Sequence, residues 1–164
     1  MKRRELLTSL GTSAVMAIIA EPAIAQSIEI VGTWKFLTYV RTDPITGKST
    51  NIFGEHPRGW LIYTAEGRMM VIVVPESRKP LEQDEDRIEH HKQMVSYTGR
   101  YTMAGDKVIH HVDVAWNEAW IGTDLVRSFK ITGDRLIITT APTKYGIDGV
   151  EQVSTLTLER AKSR

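Results

Sequence analysis

The alternation of hydrophobic and polar residues along the chain predicts a series of short β-strands. The clearest case is residues 59–74, where two runs rich in branched and aromatic residues, Trp60–Tyr63 and Val71–Val74, flank a turn at Ala65–Gly67. Such residues pack well across neighbouring strands, and a glycine at the reversal favours a hairpin. Neither arm alternates cleanly, which indicates a sheet covered on both faces or a barrel wall whose outer face is partly buried.

Six further segments have the same character, so the sequence predicts eight strands in all. These segments are Val31–Val40, Tyr97–Met103, Lys107–Trp116, Asp124–Ile131, Arg135–Thr140 and Glu151–Arg160. Because side chains alternate between the two faces of a strand, one face of the first strand should carry Trp34, Phe36, Thr38 and Val40. Eight short strands in sequential order, with turns between them, predict an all-β fold, an eight-stranded antiparallel up-and-down barrel.

One segment, Leu81–Val95, breaks this β pattern and predicts one short helix. Pro80 suits an early helical position, acidic residues crowd the first turns, and basic residues lie near the end. The apolar stripe is thin, so the helix should bury little area. We therefore expect a mobile lid over the open end of the barrel, with Ile88 or His91 facing the mouth.

The first 25 residues differ in character from the rest of the chain. A basic start is followed by an apolar stretch and by the small residues Ala23 and Ala25, a pattern typical of a signal peptide. The pair Arg3-Arg4 favours a twin-arginine signal, with general secretion as the alternative. The predicted organisation is thus a signal peptide at 1–25 and a barrel domain at 26–164, located in the periplasm or secreted.

Composition narrows the classes of partner. The chain has 164 residues, which suits one domain, a net charge of +1 and no cysteine. Without residues 1–25, basic and acidic residues are equal in number, so no nucleic-acid partner is expected. Once the leader is removed, no stable membrane insertion is expected either. The composition leaves the oligomeric state open.

At the level of motifs, the chain resembles the bacterial lipocalin-like domain family. The resemblance rests on Gly32–Lys35, Gly59–Met69, Tyr97–Tyr101, Val108–Val112, Trp120–Thr123 and Leu156–Arg160, which follow one another in order. It implies an eight-stranded barrel with an interior pocket, in which Trp34 near the barrel floor packs against Arg160. Members of this family are largely uncharacterised, so the resemblance implies a fold rather than an activity.

Histidine is the first candidate for chemistry, because it occurs as the adjacent pairs His90-His91 and His110-His111. Adjacent residues on a helix do not face each other, and adjacent residues on a strand point to opposite faces, so each pair offers one ligand to a shared centre. We therefore predict no metal site and no cofactor. His110 shares a face with Val108 and Val112, and His111 shares the other with Asp113. If that second face lines the lumen, His111 and Asp113 form an acid–base pair. Alternatively, one histidine is a core residue and the other is exposed.

Aromatic and arginine side chains supply the remaining candidates. An inward arginine would bind a carboxylate or enolate oxygen, and aromatic walls suit a flat apolar ligand. The predicted catalytic residues are His111, Tyr63, Asp113 and Arg127. The predicted ligand-binding residues are Tyr39, Trp60, Tyr101, His110, Trp116 and Trp120.

Two functions follow from these candidates. In the first, the barrel binds a small, mostly apolar molecule, aromatic or oxygenated, in its lumen. In the second, the same pocket acts as a cofactor-free isomerase, cyclase, dehydratase or lyase through His, Tyr and Arg.

Overall fold

The structure, a computed structural model, describes residues 29–144 and 150–162, and the predicted leader lies outside them. Its strands are β1 (Gly32–Thr42), β2 (Ser49–Asn51), β3 (Arg58–Tyr63), β4 (Arg68–Val74), β5 (Val95–Ala104), β6 (Lys107–Ala115), β7 (Asp124–Thr132), β8 (Arg135–Thr140), β9 (Thr143–Lys144) and β10 (Glu151–Arg160). Helix α1 (Asp84–Lys92) lies between β4 and β5, and a 3-10 turn (Glu118–Trp120) lies between β6 and β7.

The eight long strands form a closed antiparallel barrel, as predicted. Each pairs with the next along the chain, and β1 also pairs with β10, from Trp34 opposite Arg160 to Thr42 opposite Val153. The two short strands extend the wall at one end, β2 beside β1 and β9 beside β10. The bounds of β8 and β10 are those predicted, and β1 continues two residues beyond the predicted end.

The two ends of the barrel differ, because short turns join the strands at one end and long connections join them at the other. At the short-turn end, Trp34 donates its indole N–H to the Ile30 carbonyl at 2.9 Å, and the Arg160 guanidinium lies 4.1 Å from the Trp34 ring. Arg160 also donates to the carbonyls of Val31 and Glu29, at 2.9 and 2.6 Å. The predicted packing of Trp34 against Arg160 is confirmed, and it seals this end.

Gly32 makes room for that seal. A Cβ at this position would lie 2.6 Å from Nη1 of Arg160, and the backbone has a φ of 144°. A side chain here would therefore both strain the backbone and displace the guanidinium from the carbonyls it binds.

A bulge in β1 changes which residues face the interior. The pairing with β10 shifts between Phe36 and Thr38, so Leu37 is an extra residue. Trp34 and Phe36 point inward as predicted, but beyond the bulge the inward position passes to Tyr39, which is 4% exposed. The prediction that Thr38 and Val40 share the face of Trp34 is therefore wrong, because a single extra residue reverses the alternation.

A second bulge lies in β6, opposite Gly99 of β5. Gly99 pairs with Val112 and its neighbour Thr98 pairs with Val114, which leaves Asp113 as the extra residue. The strands approach closely here, because a Cβ on Gly99 would lie 2.0 Å from the His111 carbonyl oxygen. After the bulge Val114 is 60% exposed, whereas Ala115 packs against the core.

Helix α1 is shorter than the predicted Leu81–Val95 and is held by polar contacts. Leu81 precedes it and Val95 begins β5, so the seven-residue spacing of apolar residues does not mark a helix face. The one buried residue of α1 is Asp86, whose carboxylate accepts the backbone N–H groups of Glu82 and Gln83 and pairs with Lys79. No helix in the described ranges is long and apolar enough to cross a membrane.

Candidate ligand-binding site

The closed half of the barrel is filled by side chains, which limits where a ligand can bind. Its largest fully buried side chains include Trp34, Phe36, Tyr63, Leu136 and Leu158. Nearer the open end, a chamber of about 20 Å³ remains among apolar side chains from β4 and β10, bounded also by Tyr39, Val95, Tyr97, Trp120, Arg127 and Thr140. This chamber is the empty part of the lumen, and it has space for a group little larger than one water molecule.

A larger cavity of about 150 Å³ lies at the open end and is called the mouth here. Its apolar lining includes Ile52, Phe53, Met94, Trp116 and Trp120, and its charged lining residues are Arg41, Lys92 and Lys144. Val95 and Trp120 line both the mouth and the chamber, so the two spaces adjoin at these side chains.

The connection between β6 and β7 positions the two mouth tryptophans. Trp116 directly follows the last residue of β6. The 3-10 turn comes next, and its N-terminal cap is Asn117, whose side chain accepts the Ala119 N–H at 3.1 Å. The rings of Trp116 and Trp120 then meet edge to face at 6.0 Å, and Trp120 meets Tyr97 in the same way at 5.6 Å. Aromatic surface thus runs continuously from the mouth to the inner wall of the barrel.

His110 lies at the centre of a buried hydrogen-bonded row. Its Nε2 is 2.7 Å from the Tyr63 hydroxyl and its Nδ1 is 2.9 Å from the Tyr97 hydroxyl. His110 is 1% exposed because alternation in β6 places it inward between Val108 and Val112. A neutral imidazole has one donor and one acceptor nitrogen, so it donates a hydrogen bond to one of the two hydroxyls and accepts one from the other.

Burial governs the protonation of this row. Desolvation lowers the pKa of His110 well below its ordinary value of 6.5, and the positive charge of Arg127 acts in the same direction. Desolvation also raises the pKa of the Tyr63 hydroxyl well above its usual value. Near neutral pH the imidazole and the Tyr63 phenol are therefore both uncharged.

Arg127 is the charged group of the interior. Alternation in β7 turns it inward between Leu125 and Phe129, and it is 9% exposed. Its Nη1 donates to the Val126 carbonyl at 3.0 Å. The described residues provide it with no carboxylate partner, although it lines the chamber beside Thr140.

The predicted pair of His111 and Asp113 is wrong. His111 lies on the outer wall, where its Nδ1 is 2.7 Å from Asp124 and its Nε2 is 2.9 Å from the Thr102 hydroxyl. Asp113 is also outside and pairs with Arg68, which lowers the pKa of its carboxyl. The histidine whose strand face matches the apolar core is His110. His111 and Asp113 do share the opposite face of β6, but that face is the outer one.

Two predicted ligand-binding residues lie away from the mouth and the chamber, although Trp60 borders an open groove of about 350 Å³ on the outside of the barrel. Trp60 is 43% exposed on the outer wall, opposite Ile72, because Leu61 and Tyr63 take the inward positions of β3. Tyr101 packs its ring on Tyr63 at 4.9 Å and donates its hydroxyl to the Thr64 carbonyl near the closed end.

The other predicted residues divide between the chamber, the row and the mouth. Tyr39 and Arg127 line the chamber, Trp116 lines the mouth, and Trp120 lines both. Tyr63 and His110 belong to the buried row.

Helix α1 reaches the mouth with its C-terminal end. The His91 ring meets the Trp116 ring edge to face at 4.8 Å, and Lys92 lines the mouth. Ile88, the other predicted neighbour of the mouth, is 56% exposed. In the described ranges, no three His, Asp or Glu side chains come together in a group that could hold a metal ion.

Sequence reasoning missed several residues that define the site. Arg41 lies two positions after Tyr39, so recognition of the β1 bulge would have placed it at the mouth. Tyr97 shares the inward face of β5 with Gly99, and this alternation could have identified it as the partner of His110. Lys92 and Lys144 lie in or beside long connections, where no periodicity indicates direction.

Comparison with known proteins was consistent with this architecture. The sequence model of one family, described as a lipocalin-like domain, matches residues 31–161, which include all ten strands. No curated protein matches the chain.

Proposed function

Because the chain belongs to the lipocalin-like domain family, we propose that it binds one small, mostly apolar molecule through the open end of its barrel. The proposal rests on the mouth of about 150 Å³, in which two tryptophans meet edge to face. The mouth shares lining residues with the inner chamber. A cavity of about this volume accommodates a single benzene-sized ring. The filled closed half restricts the ligand to the open half of the lumen.

The aromatic lining supports a flat ligand. Trp116 and Trp120 offer ring surface, and Ile52, Phe53 and Met94 add apolar surface to a lining that is otherwise polar and positively charged. Burial of a one-ring molecule against such surfaces is favoured at about 25 cal/mol per Å² of apolar area. Polar groups at the inner end, Thr140 and Arg127, would orient an oxygen of the ligand.

A fragment screen by protein-observed NMR or native mass spectrometry tests the proposal, with Trp120→Ala as the diagnostic variant. We expect one-ring compounds to bind and Trp120→Ala to weaken them by about tenfold or more. Trp60→Ala is the matched control, because Trp60 lies on the outer wall and is 43% exposed. Absence of any saturable binder, or an equal loss in both variants, contradicts the proposal.

A second candidate function is favoured by the row Tyr63–His110–Tyr97. Tyr97 belongs to the row and also lines the chamber beside Arg127. A carbonyl oxygen in the chamber would therefore meet a phenol O–H and a guanidinium, which stabilise the enolate formed when water or hydroxide takes the proton from the neighbouring carbon. In the tautomer in which His110 donates its N–H to the Tyr97 oxygen, the phenol proton of Tyr97 is left for the ligand. This arrangement fits cofactor-free proton chemistry of the isomerase or lyase type.

Deuterium exchange at the carbon next to a carbonyl, followed by NMR in D₂O, separates this candidate from binding alone. We expect the protein to accelerate exchange in a bound one-ring ketone, and Tyr97→Phe or His110→Gln to remove the acceleration. Tyr101→Phe is the control, because that hydroxyl donates to the Thr64 carbonyl. Exchange that is no faster with the protein than without it leaves binding as the function.

We also propose that the protein is exported, with residues 1–25 as the leader. The support is the basic start, the apolar stretch and the small residues Ala23 and Ala25. Cell fractionation and N-terminal sequencing of the expressed protein test this. A cytoplasmic protein that retains its leader would contradict it.

A further inference from the structure

Arg127 is a buried cation whose hydrogen bonding is incomplete. It is 9% exposed and lines the chamber, yet in the described chain it makes one hydrogen bond, to the Val126 carbonyl. A guanidinium has five N–H donors in a planar fork that matches the two oxygens of a carboxylate. A buried charge is costly unless an opposite charge compensates it. The guanidinium of Arg127 therefore gives the chamber a binding position for an anion.

The route to the chamber carries the same sign of charge. Lys92 and Lys144 line the mouth together with Arg41, and the described lining residues include no carboxylate. The whole chain has a net charge of only +1, so this concentration of positive charge is local. Cations around a narrow opening raise the local concentration of anions and speed their entry.

The volumes of the chamber and the mouth limit the size of an anion that can bind. The chamber of about 20 Å³ has space for little more than one small polar group, and the mouth of about 150 Å³ holds one ring. Trp120 borders both spaces, so a ligand that spans them lies against its indole.

From these observations we infer that the ligand is a one-ring monocarboxylic acid, with its carboxylate on Arg127 and its ring in the mouth against the exposed surfaces of Trp120 and Trp116. The inference rests on the proposed binding function and names the chemical class of the ligand. Arg127 is then the residue that selects acids over neutral molecules of the same shape.

Three probes of nearly equal shape test the charge preference: benzoate, benzamide and benzylamine, titrated by calorimetry at low ionic strength. We expect benzoate to bind at least tenfold more tightly than benzamide, and the benzylammonium ion to bind most weakly. Arg127→Gln should reduce the benzoate preference to within about twofold while benzamide binding remains. Arg100→Gln is the control, because this arginine lies exposed on the outer wall.

Equal affinities for benzoate and benzamide in the unaltered protein overturn this inference and leave the proposed function standing. Failure of all three probes also overturns it. The proposed function itself fails only if the wider screen of neutral one-ring compounds finds no binder sensitive to Trp120→Ala.

Because Arg127→Gln could change the stability of the fold, its melting temperature is also measured without ligand. Removal of an uncompensated buried charge should leave the melting temperature unchanged or raise it, and benzoate should then raise it in the unaltered protein but not in the variant. A markedly lower melting temperature in the unliganded variant would show that Arg127 is structural, and would overturn the inference. Arg127→Lys, which keeps the charge without the planar fork, should retain part of the preference.

Discussion

At the residue scale, His110 and His111 show how strongly position along a strand decides environment. They are adjacent in β6, yet His110 is 1% exposed between two tyrosine hydroxyls, and His111 is on the outer wall beside Asp124. Successive side chains of a strand point to opposite faces, and the apolar neighbours Val108 and Val112 fix which face is inside. The chemistry of the two imidazoles is therefore different although their local sequence is shared.

The buried imidazole predicts a dependence of stability on pH. The pKa of His110 in the folded protein is well below 6.5, so the unfolded chain binds more protons as the pH falls below 6.5. The contribution of His110 to stability is thus fully present above pH 6.5 and is lost as the pH falls toward the folded pKa. Its slope can reach about 1.4 kcal/mol per pH unit.

Urea unfolding of His110→Gln at pH 7 and pH 5 measures this contribution. We expect the unaltered protein to lose at least about 1 kcal/mol more stability between these pH values than His110→Gln does. His56→Gln, which removes an exposed imidazole, is the control. Parallel curves for the unaltered protein and His110→Gln would show that His110 protonates freely in the folded state.

At the element scale, the two bulges decide which residues reach the site. The extra residue Leu37 turns Tyr39 and Arg41 inward, and the extra residue Asp113 turns Val114 outward and Ala115 toward the core. In regular strands Tyr39 would point outward and the chamber would lose one wall. Bulges are frequent at barrel rims and beside sites for this reason.

Helix α1 is the element least integrated into the barrel. Asp86 is its one buried residue, and at the mouth it contributes His91, which touches Trp116, and Lys92. Elements with little buried apolar area open at low free-energy cost, and such elements serve as lids.

Replacement of residues 81–91 by a short Gly-Ser linker tests the lid prediction. We expect the association rate of a one-ring ligand to change several-fold and the melting temperature to move by a few degrees at most. Hydrogen exchange should also be faster in α1 than in the long strands. If the shortened chain fails to fold, or α1 exchanges as slowly as β5, the segment is structural and the lid prediction is wrong.

At the scale of the whole molecule, closure of the barrel depends on contacts between its first and last strands. The pairing of β1 with β10 completes the ring, and Arg160 adds a stacking contact on Trp34 with hydrogen bonds to two carbonyls. All of these contacts join residues far apart in the sequence. These contacts stabilise the closed end, and the long connections gather at the open end where the mouth lies.

Arg160→Met should weaken this closure by about 2–3 kcal/mol. The loss combines a cation–π contact of about 1 kcal/mol with two hydrogen bonds of about 1 kcal/mol each. Arg135→Met is the matched control, because Arg135 is exposed, and it should stay within about 0.5 kcal/mol of the unaltered protein. Urea unfolding measures both, and equal stability of the two variants would mean that the seal contributes nothing.

The sequence predicted those features of the protein that depend on interactions between residues close together in the chain. Strand bounds and the order of strands follow from local alternation and turn residues, so the barrel was predicted, and the resemblance of Trp34 and Arg160 to a known pairing correctly implied the seal. The inward direction of Arg127 follows from the same alternation, given that Leu125 and Phe129 flank it.

Tertiary structure decided which side chains face the interior beyond the two bulges and where the residues of the long connections lie. A bulge is defined by the partner strand, because the extra residue exists only relative to the register opposite it, as Leu37 does against β10 and Asp113 against β5. The sequence alone therefore left Tyr39 without a reason to be buried. The assembly of Arg41, Lys92 and Lys144 around one mouth likewise depends on barrel closure, since these residues come from three distant segments that meet only when β1 pairs with β10.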